Sequence, residues 1–373
     1  MTMTKGKKHA SVDTAYDKFS RLFMVYMLIL VSFVMSIEYF TNRMNCSIPD
    51  ELIKKKDFIH ASCWSSGLFI YEEMTGKSKD SFYYGIPKNL KHDGLNLINK
   101  PCATHTELST NSKCKPMTKV YYTQYQWLPF YIGLLALIYY LPYPIFKMVN
   151  PDLISLHAIV ESTEEAVGIV YNYFNYDVNP IYRLRLRVWL NILVQMSYIV
   201  VNVFSFCFTG YLLNGNYEGY GRIFFKTGNH TKIEENINKH SGQILLPSRG
   251  LCEVRSFETE DNRREILRCE VPANTLYQYT LFVLWNLFVI GITVSVTGLV
   301  TTISGYIFRF LCYGKTVTVR RIFRYMTLRE VEYLLIIKRK NMLLYGDVIR
   351  KLKDGRTDAD GKFVETCSLV SSV

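Results

Sequence analysis

Glycine and proline are scarce in this sequence, with 21 Gly and 11 Pro among 373 residues, so collagen-like and Gly/Pro-rich low-complexity chains are excluded. The signatures of metalloproteases, serine hydrolases and phosphate-binding loops are missing, and the seven histidines form no pair with metal-ligand spacing. We therefore predict no enzyme activity and no cofactor. Aromatic residues, in contrast, make up 14% of the chain, which excludes the composition of a disordered protein.

Charge is absent from long stretches, although the whole chain carries a formal net charge of +12. Three runs, 127–146, 188–217 and 271–308, contain no charged residue, and a fourth, 22–42, contains only Glu38. A helix crosses a bilayer core with about 17–25 mainly apolar residues, so each run is long enough to span a membrane. One such run is compatible with a buried helix of a soluble protein, but four in one chain indicate a membrane bundle.

The four runs predict an all-α membrane protein whose subunit is a four-helix transmembrane bundle. We expect disulfide-stapled outer loops with some β structure, and a helical inner domain. The first run lacks a small-x-small cleavage site, so we predict a retained helix and not a signal peptide. The predicted segments are the inner N-terminal segment 1–21, the first span 22–42, the outer loop 43–126, the second span 127–147, the inner loop 148–187, the third span 188–213, the outer loop 214–277, the fourth span 278–308 and the inner C-terminal region 309–373.

Basic residues beside the predicted helices indicate the orientation. Lys and Arg cluster in 1–21, in 148–187 and directly after the fourth span, and an even number of spans places these three segments on one side. We predict that this side is cytoplasmic. Segment 315–353 alternates basic and apolar residues, which predicts a helical inner domain near acidic membrane lipids and no role in nucleic-acid binding.

Cysteine placement agrees with this topology. Six of the nine cysteines fall in the two predicted outer loops, an even number in each, as expected for disulfides in an oxidising compartment. They are Cys46, Cys63, Cys102 and Cys114 in the first loop, and Cys252 and Cys269 in the second. Two pairs share a spacing of 17 residues, 46 with 63 and 252 with 269, which suggests that the loops are joined to each other. The sequence leaves all three pairings of these four cysteines open.

Two sequons for N-glycosylation also lie in the predicted outer loops, at Asn45 and Asn229. Asn229 is the stronger candidate because Cys46 occupies the middle of the other sequon. A metal site formed by Cys102, His105 and Cys114 is an alternative use of the extra cysteines. Three ligands in an oxidising compartment favour a disulfide instead, so we predict no metal.

A motif at the start of the second predicted helix resembles a known family. The motif consists of Tyr125, Gln126, Trp127 and Leu128, followed by Pro142. It is similar to the innexin signature Tyr-Gln-Trp-Val, with Leu in place of the usual Val. The segment from Cys269 through Pro272 and Asn274 into the fourth helix is similar as well. With four spans and two cysteines of this spacing in each outer loop, the chain resembles innexins and pannexins over about residues 13–310.

The resemblance implies a homo-oligomeric large-pore channel of the plasma membrane that passes ions and small solutes, with eight subunits typical of innexins and seven of pannexins. Such channels form gap junctions by docking with a channel of an apposed cell, or act as hemichannels. The resemblance also implies the bridges Cys46–Cys269 and Cys63–Cys252, with Cys102–Cys114 as a local bridge. The longer first outer loop and its extra cysteine pair depart from the family pattern. Two alternatives are therefore not excluded by the sequence: a hemichannel that does not dock, and a four-span adhesion or scaffold protein without a pore.

By the same resemblance, the candidates for contact with the permeant are the N-terminal segment and the start of the first outer loop. The individual candidates are Glu38, Lys54, Lys55 and Lys56. Glu38 is the only acidic residue of the first span, and an ionisable residue inside a membrane is a functional candidate by default. The alternative is that Glu38 lies at the water interface.

Small residues recur on one face of the fourth predicted helix at steps of four and three residues. They are Gly291, Ser295, Gly298, Thr302 and Gly305. Small faces let membrane helices approach closely, so we predict helix packing, with pore lining as the alternative. At the C-terminus, Ser371-Ser372-Val373 fits a ligand of a PDZ-type scaffold.

Overall fold

The computed structural model describes residues 15–41, 44–75, 80–104, 114–159, 166–175, 178–213, 217–221, 245–255, 264–312 and 326–355. Three predicted features lie outside the described residues, namely segment 1–14, Asn229 and the C-terminal tripeptide 371–373. The chain divides into two compact units. The helical unit comprises 1–25, 138–202 and 291–373, and the sheet unit comprises 26–137 and 203–290.

The helices of the described residues are, in chain order, α1 (Ala15–Thr41), α2 (Lys56–Ser66), α3 (Leu128–Val149), α4 (Pro151–Ile159), α5 (Ala166–Tyr173), α6 (Ile181–Leu212), α7 (Ala273–Cys312), α8 (Leu328–Lys340) and α9 (Met342–Gly355). Four of them, α1, α3, α6 and α7, are long and apolar enough to cross a membrane. The predicted helical membrane protein with four spans is therefore confirmed.

Two of the four long helices begin earlier than the charge-free runs that predicted them. Helix α1 begins at Ala15 instead of 22, and α6 begins at Ile181 instead of 188. Lys and Arg are good helix formers, so a helix continues through basic residues that limit an apolar run. Helix α1 also contains a π-helical stretch, Phe19–Met24. Helix α3 joins the segments Leu128–Tyr140 and Pro142–Val149, and Pro142 occupies a first-turn position where its missing N–H costs nothing.

The sheet unit contains the predicted β structure as antiparallel strands. Its strands are β1 (Asn45–Cys46), β2 (Leu68–Tyr71), β3 (Ser81–Tyr83), β4 (Ile86–Pro87), β5 (Gly94–Leu95), β6 (Pro101–Cys102), β7 (Lys115–Pro116), β8 (Lys119–Tyr122), β9 (Arg249–Arg255) and β10 (Arg264–Glu270). The central sheet has the order β1-β10-β9-β2-β8, so both predicted outer loops contribute to it. Two smaller sheets, β3-β4 and β6-β5-β7, belong to the first loop alone.

Local sequence explains how α2 leads into the central sheet. Gly67 ends the helix with φ of 83°, a left-handed conformation that glycine adopts without strain. Strand β2 follows at once and is buried along its whole length, Leu-Phe-Ile-Tyr. Phe69 and Tyr71 of this strand pack in a core with Met74, Ile86 and Leu251. Burial on both faces is why this strand is uniformly apolar instead of alternating.

In the helical unit, a second core joins α4, α5, α8 and α9. Leu156, Val170, Leu334 and Val348 are fully buried there, one from each helix. The rings of Tyr173 and Tyr333 stack with their centroids 3.9 Å apart. Helix α8 begins with a capping box in which Thr327 and Glu330 satisfy each other's backbone N–H groups. The predicted helical inner domain thus has its own apolar core.

A buried ion pair connects α4 to α8 inside this unit. The Arg329 side chain is 0% exposed and donates two hydrogen bonds to Asp152, of 2.8 and 3.1 Å. Arg329 also donates to Asn150 over 2.6 Å and to Glu332 over 3.1 Å. Arg187 of α6 lies 3.1 Å from the same Asp152 carboxylate. The predicted contact of segment 315–353 with lipid therefore does not include Arg329, which is buried and pairs with Asp152 inside the protein.

The surroundings of Asp152 keep its carboxylate ionised. Burial alone would raise the pKa of Asp152, but hydrogen bonds and charge from Arg329, charge from Arg187 and a hydrogen bond from Tyr173 hold the pKa below its usual range. For Tyr173, burial and the nearby Asp152 carboxylate raise the pKa, so this hydroxyl stays a donor. The pair is therefore fully charged at neutral pH.

Replacing Asp152 by Asn should destabilise the protein by about 3–5 kcal/mol, because the buried Arg329 charge loses its main partner. Thermal unfolding of the purified protein measures this loss, with Asp347→Asn at an exposed position of α9 as the matched control. Because the folded pKa of Asp152 is lowered, its stabilisation is present above the ordinary carboxyl pKa and is lost as pH falls through the folded pKa. Equal melting temperatures for the two variants would contradict this role.

Candidate functional site

Three disulfides cross-link the sheet unit. They join Cys46 to Cys269, Cys63 to Cys252, and Cys102 to Cys114. These are the three pairs that the family resemblance implies. The first two connect segments 223 and 189 residues apart in sequence, and so tie the first outer loop to the second. The third joins two cysteines that are 12 positions apart in sequence, in β6 and directly before β7.

Backbone pairing places the two long-range bridges on neighbouring parts of one sheet. Cys46 on β1 is paired with Cys269 on β10. On the adjacent strand β9, Cys252 lies opposite Leu267 of β10. Cys63 reaches this sheet from the last turns of α2, where it is buried. Two cysteines from each outer loop therefore meet at the same sheet. Within the described residues, Cys46, Cys63 and Cys269 form the only three-residue group of metal-ligand type, and all three sulfurs are used in bridges.

The family-type motif links the end of α2 to the beginning of α3. Tyr125 donates a hydrogen bond of 3.1 Å to the carbonyl of Trp64, and Gln126 donates to the same carbonyl. The rings of Tyr125 and Trp64 lie 4.8 Å apart, and burial raises the pKa of Tyr125 to about 12. Trp127 contacts the Tyr131 ring edge to face, and Leu128 is buried. The motif residues therefore hold a helix of the disulfide-linked unit against the start of a long apolar helix.

The candidate pore residues lie at the end of α1 and in the segment that follows it. Glu38 is half-buried on α1, next to Tyr39, whose ring contacts Trp64. Lys54 and Lys55 end a short 3₁₀ turn, Asp50–Lys55, and Lys56 begins α2. Lys54 and Lys56 are exposed, and Lys55 is half-buried. These four residues belong to the sheet unit, in the region that the two long-range disulfides hold together.

Polar side chains of four helices meet inside the helical unit, at a contact that the sequence analysis missed. Asn202 of α6 is 0% exposed and accepts a 2.9 Å hydrogen bond from Tyr139 of α3. Its amide donates to Ser295 of α7 over 3.0 Å. Ser295 in turn lies 3.3 Å from Ser20 of α1. One buried asparagine thus connects, directly or through one serine, all four long helices.

A second buried contact lies near this one. Gln195 of α6 donates a 2.9 Å hydrogen bond to Asp17 of α1, and both side chains are buried. Arg21, one turn further along α1, places its guanidinium 3.8 Å from the centre of the Tyr143 ring. Asn, Gln and Asp inside otherwise apolar helices are rare, and this rarity is the sequence signal that could have located both contacts.

The predicted small-residue face of α7 faces these contacts along part of its length. A Cβ atom at Gly291 would lie 2.3 Å from Oδ1 of Asn202, and one at Gly298 would lie 3.0 Å from Tyr16. Ser295 makes the hydrogen bonds described above, and the hydroxyl of Thr302 donates to the carbonyl of Gly298. At Gly305 nothing lies within 4 Å of the added atom. The close approach therefore covers 291–298 and ends before Gly305.

Four membrane-length helices and a sheet closed by loop-to-loop disulfides define a four-span integral membrane protein. The innexin family model matches residues 13–356, nearly the whole chain, so the chain belongs to the innexin family. Members of this family are channel and gap-junction subunits, not enzymes. A search of curated proteins finds no match.

Proposed function

We propose that this protein is a subunit of an oligomeric large-pore channel in the plasma membrane, which passes ions and small solutes. The family match carries this proposal, because it spans all four long helices and the sheet unit together. The ring is a homo-oligomer of eight subunits, the number typical of innexins, with seven as the pannexin-like alternative. No catalytic chemistry is required of the chain for this role.

The two outer loops, 43–126 and 214–277, face the outside of the cell, and the basic flanks of the long helices face the cytoplasm. Two observations support this orientation. All three disulfides lie in the sheet unit, and disulfides persist in oxidising compartments. The basic flanks of the apolar helices, including Arg183 and Arg185 of α6, belong to the helical unit, as the positive-inside rule requires. Asn45, exposed on β1, and Asn229 are then accessible to glycosylation.

The basic residues at the end of α8 are candidates for contact with membrane lipids. Lys338, Arg339 and Lys340 are exposed at the end of α8, and the next helix begins with exposed Met342 and Leu343. Such a combination of cations and apolar side chains suits the acidic inner leaflet of the membrane. The C-terminal tripeptide is proposed as a PDZ-type ligand on its sequence alone.

A non-docking hemichannel is the second candidate, and one feature favours it. The first outer loop carries an additional three-stranded sheet, β6-β5-β7, closed by the Cys102–Cys114 bridge. This segment departs from the usual family pattern and adds bulk to the unit that would have to dock. A four-span adhesion protein without a pore is the third candidate.

Expression in paired cells distinguishes the three candidates. A gap-junction subunit gives junctional current between the two cells, and a hemichannel gives dye uptake and current in single cells only. We expect current or dye uptake in single cells in either case, because both assemblies contain a pore. A protein that reaches the surface and stays silent under strong depolarisation and low external calcium would favour the adhesion role.

Replacing Glu38 by Gln should change single-channel conductance or ion preference, because symmetry repeats one charge around the ring of subunits. Single-channel recording with asymmetric salt measures both quantities. Glu270→Gln, an exposed carboxylate on β10 that pairs with Arg249, is the matched control. Conductance and reversal potential identical to those of the unmodified channel would remove Glu38 from the pore.

A further inference from the structure

The sheet unit contains a cleft of about 600 Å³ that the proposed channel function does not require. Its floor is the central sheet, with Tyr71 of β2, Lys119 of β8, Glu253 of β9 and Glu265 of β10. Its lining also includes Leu90 and Asp93, which precede strand β5 of the additional sheet in the first outer loop. Clefts of about 300–1,000 Å³ are the size class that holds small organic molecules.

Negative groups outnumber positive groups in this cleft, with three carboxylates against two lysines. Lys119 forms an ion pair with Glu253 and lies over the Phe69 ring, so its charge is directed toward the protein. Lys91 is exposed. The field inside the cleft therefore favours a positive charge, next to apolar walls that include Leu90 and Leu267.

Asp93 is held in a fixed orientation at the wall. Its carboxylate accepts hydrogen bonds from the backbone N–H and the hydroxyl of Thr104, over 2.8 and 2.7 Å. Its backbone carbonyl accepts a hydrogen bond from Met117, which follows β7. These contacts set the carboxylate within the additional sheet before any ligand arrives, and preorganisation of this kind reduces the cost of binding.

Tyr71 supplies an unused hydrogen-bonding group at the floor. Its side chain is 1% exposed, and its hydroxyl has no hydrogen-bond partner among the described residues. Burial, followed by the charges of Asp93 and Glu253, raises the pKa of this hydroxyl, so the hydroxyl keeps its proton. A buried hydroxyl without a partner is costly, and a ligand in the cleft would supply one.

The charges do not form a metal centre. Among the described residues, no set of cleft carboxylates brings three ligand atoms within 4.8 Å of one another. A small molecule that combines a cationic amine with an apolar body fits the separated carboxylates, the lone hydroxyl and the apolar walls. We propose that this cleft is a binding site for a small organic cation of that class, formed where the additional segment of the first outer loop meets the central sheet.

Binding of 2-phenylethylammonium to the full-length protein in lipid nanodiscs tests this site, with phenylacetate as the matched anion. Saturation-transfer NMR titration should give saturable binding of the amine and weaker or no binding of the anion. Glu265→Gln should weaken amine binding about three- to fivefold, the upper range for a partly exposed charge pair. Glu270→Gln, on the same strand but outside the cleft, should leave it unchanged. Tyr71→Phe removes only the hydroxyl and should weaken binding as well.

Three results would overturn the proposal. These are no saturable binding of the amine, equal binding of amine and anion, and equal affinity of the Glu265→Gln and Glu270→Gln variants. Saturable binding of Ca²⁺ without binding of the amine would replace the organic ligand by a metal. Because the titration measures binding and not current, its failure leaves the proposed channel function untouched.

Discussion

The long helices of this protein depend on polar side chains that satisfy one another away from water. A polar group that is buried without a partner costs several kcal/mol in an apolar medium. Asn202 meets this constraint by bonding to Tyr139, to Ser295 and to the Tyr198 carbonyl of its own helix. The contacts of Asn202 favour glycine at position 291 of α7, because the Cβ of any other residue would lie 2.3 Å from the side-chain oxygen of Asn202. Hydrogen bonds of this kind fix which helix faces meet, since few other arrangements satisfy every partner.

Each unit also has a fixed connection between segments that are distant in sequence. In the sheet unit the connection is covalent, and two disulfides join the loops that follow α1 and precede α7. In the helical unit it is the buried pair of Arg329 and Asp152, which are 177 residues apart. For a channel subunit such connections have a common consequence. They hold the ends of long apolar helices in defined positions, which an oligomeric channel requires.

The sequence predicted the features that arise from composition and spacing. Four charge-free runs located four helices, and the even distribution of cysteines between two loops located the bridged unit. The runs did not locate the helix ends, because Arg187 continues α6 and pairs with Asp152 inside the fold. Equal spacing left the cysteine pairing open, since the choice depends on which strands are adjacent.

Arg329 belonged to a segment interpreted as lipid-facing, and only the tertiary contacts show that this arginine is buried. The cleft beside Tyr71 is formed by strands that are far apart in the chain, so no local sequence pattern predicts it.

Close contact around Asn202 organises the four long helices. Comparison of Gly291→Ala with Gly305→Ala tests it most directly, by thermal unfolding of the purified protein in one detergent. The first substitution places a methyl group 2.3 Å from Asn202 Oδ1, and the second places one in open space. Gly291→Ala should destabilise the protein by about 1–3 kcal/mol, the usual cost of overpacking. Gly305→Ala should be neutral or slightly stabilising, because alanine is the better helix former. Equal melting temperatures for the two variants would contradict this role of Asn202.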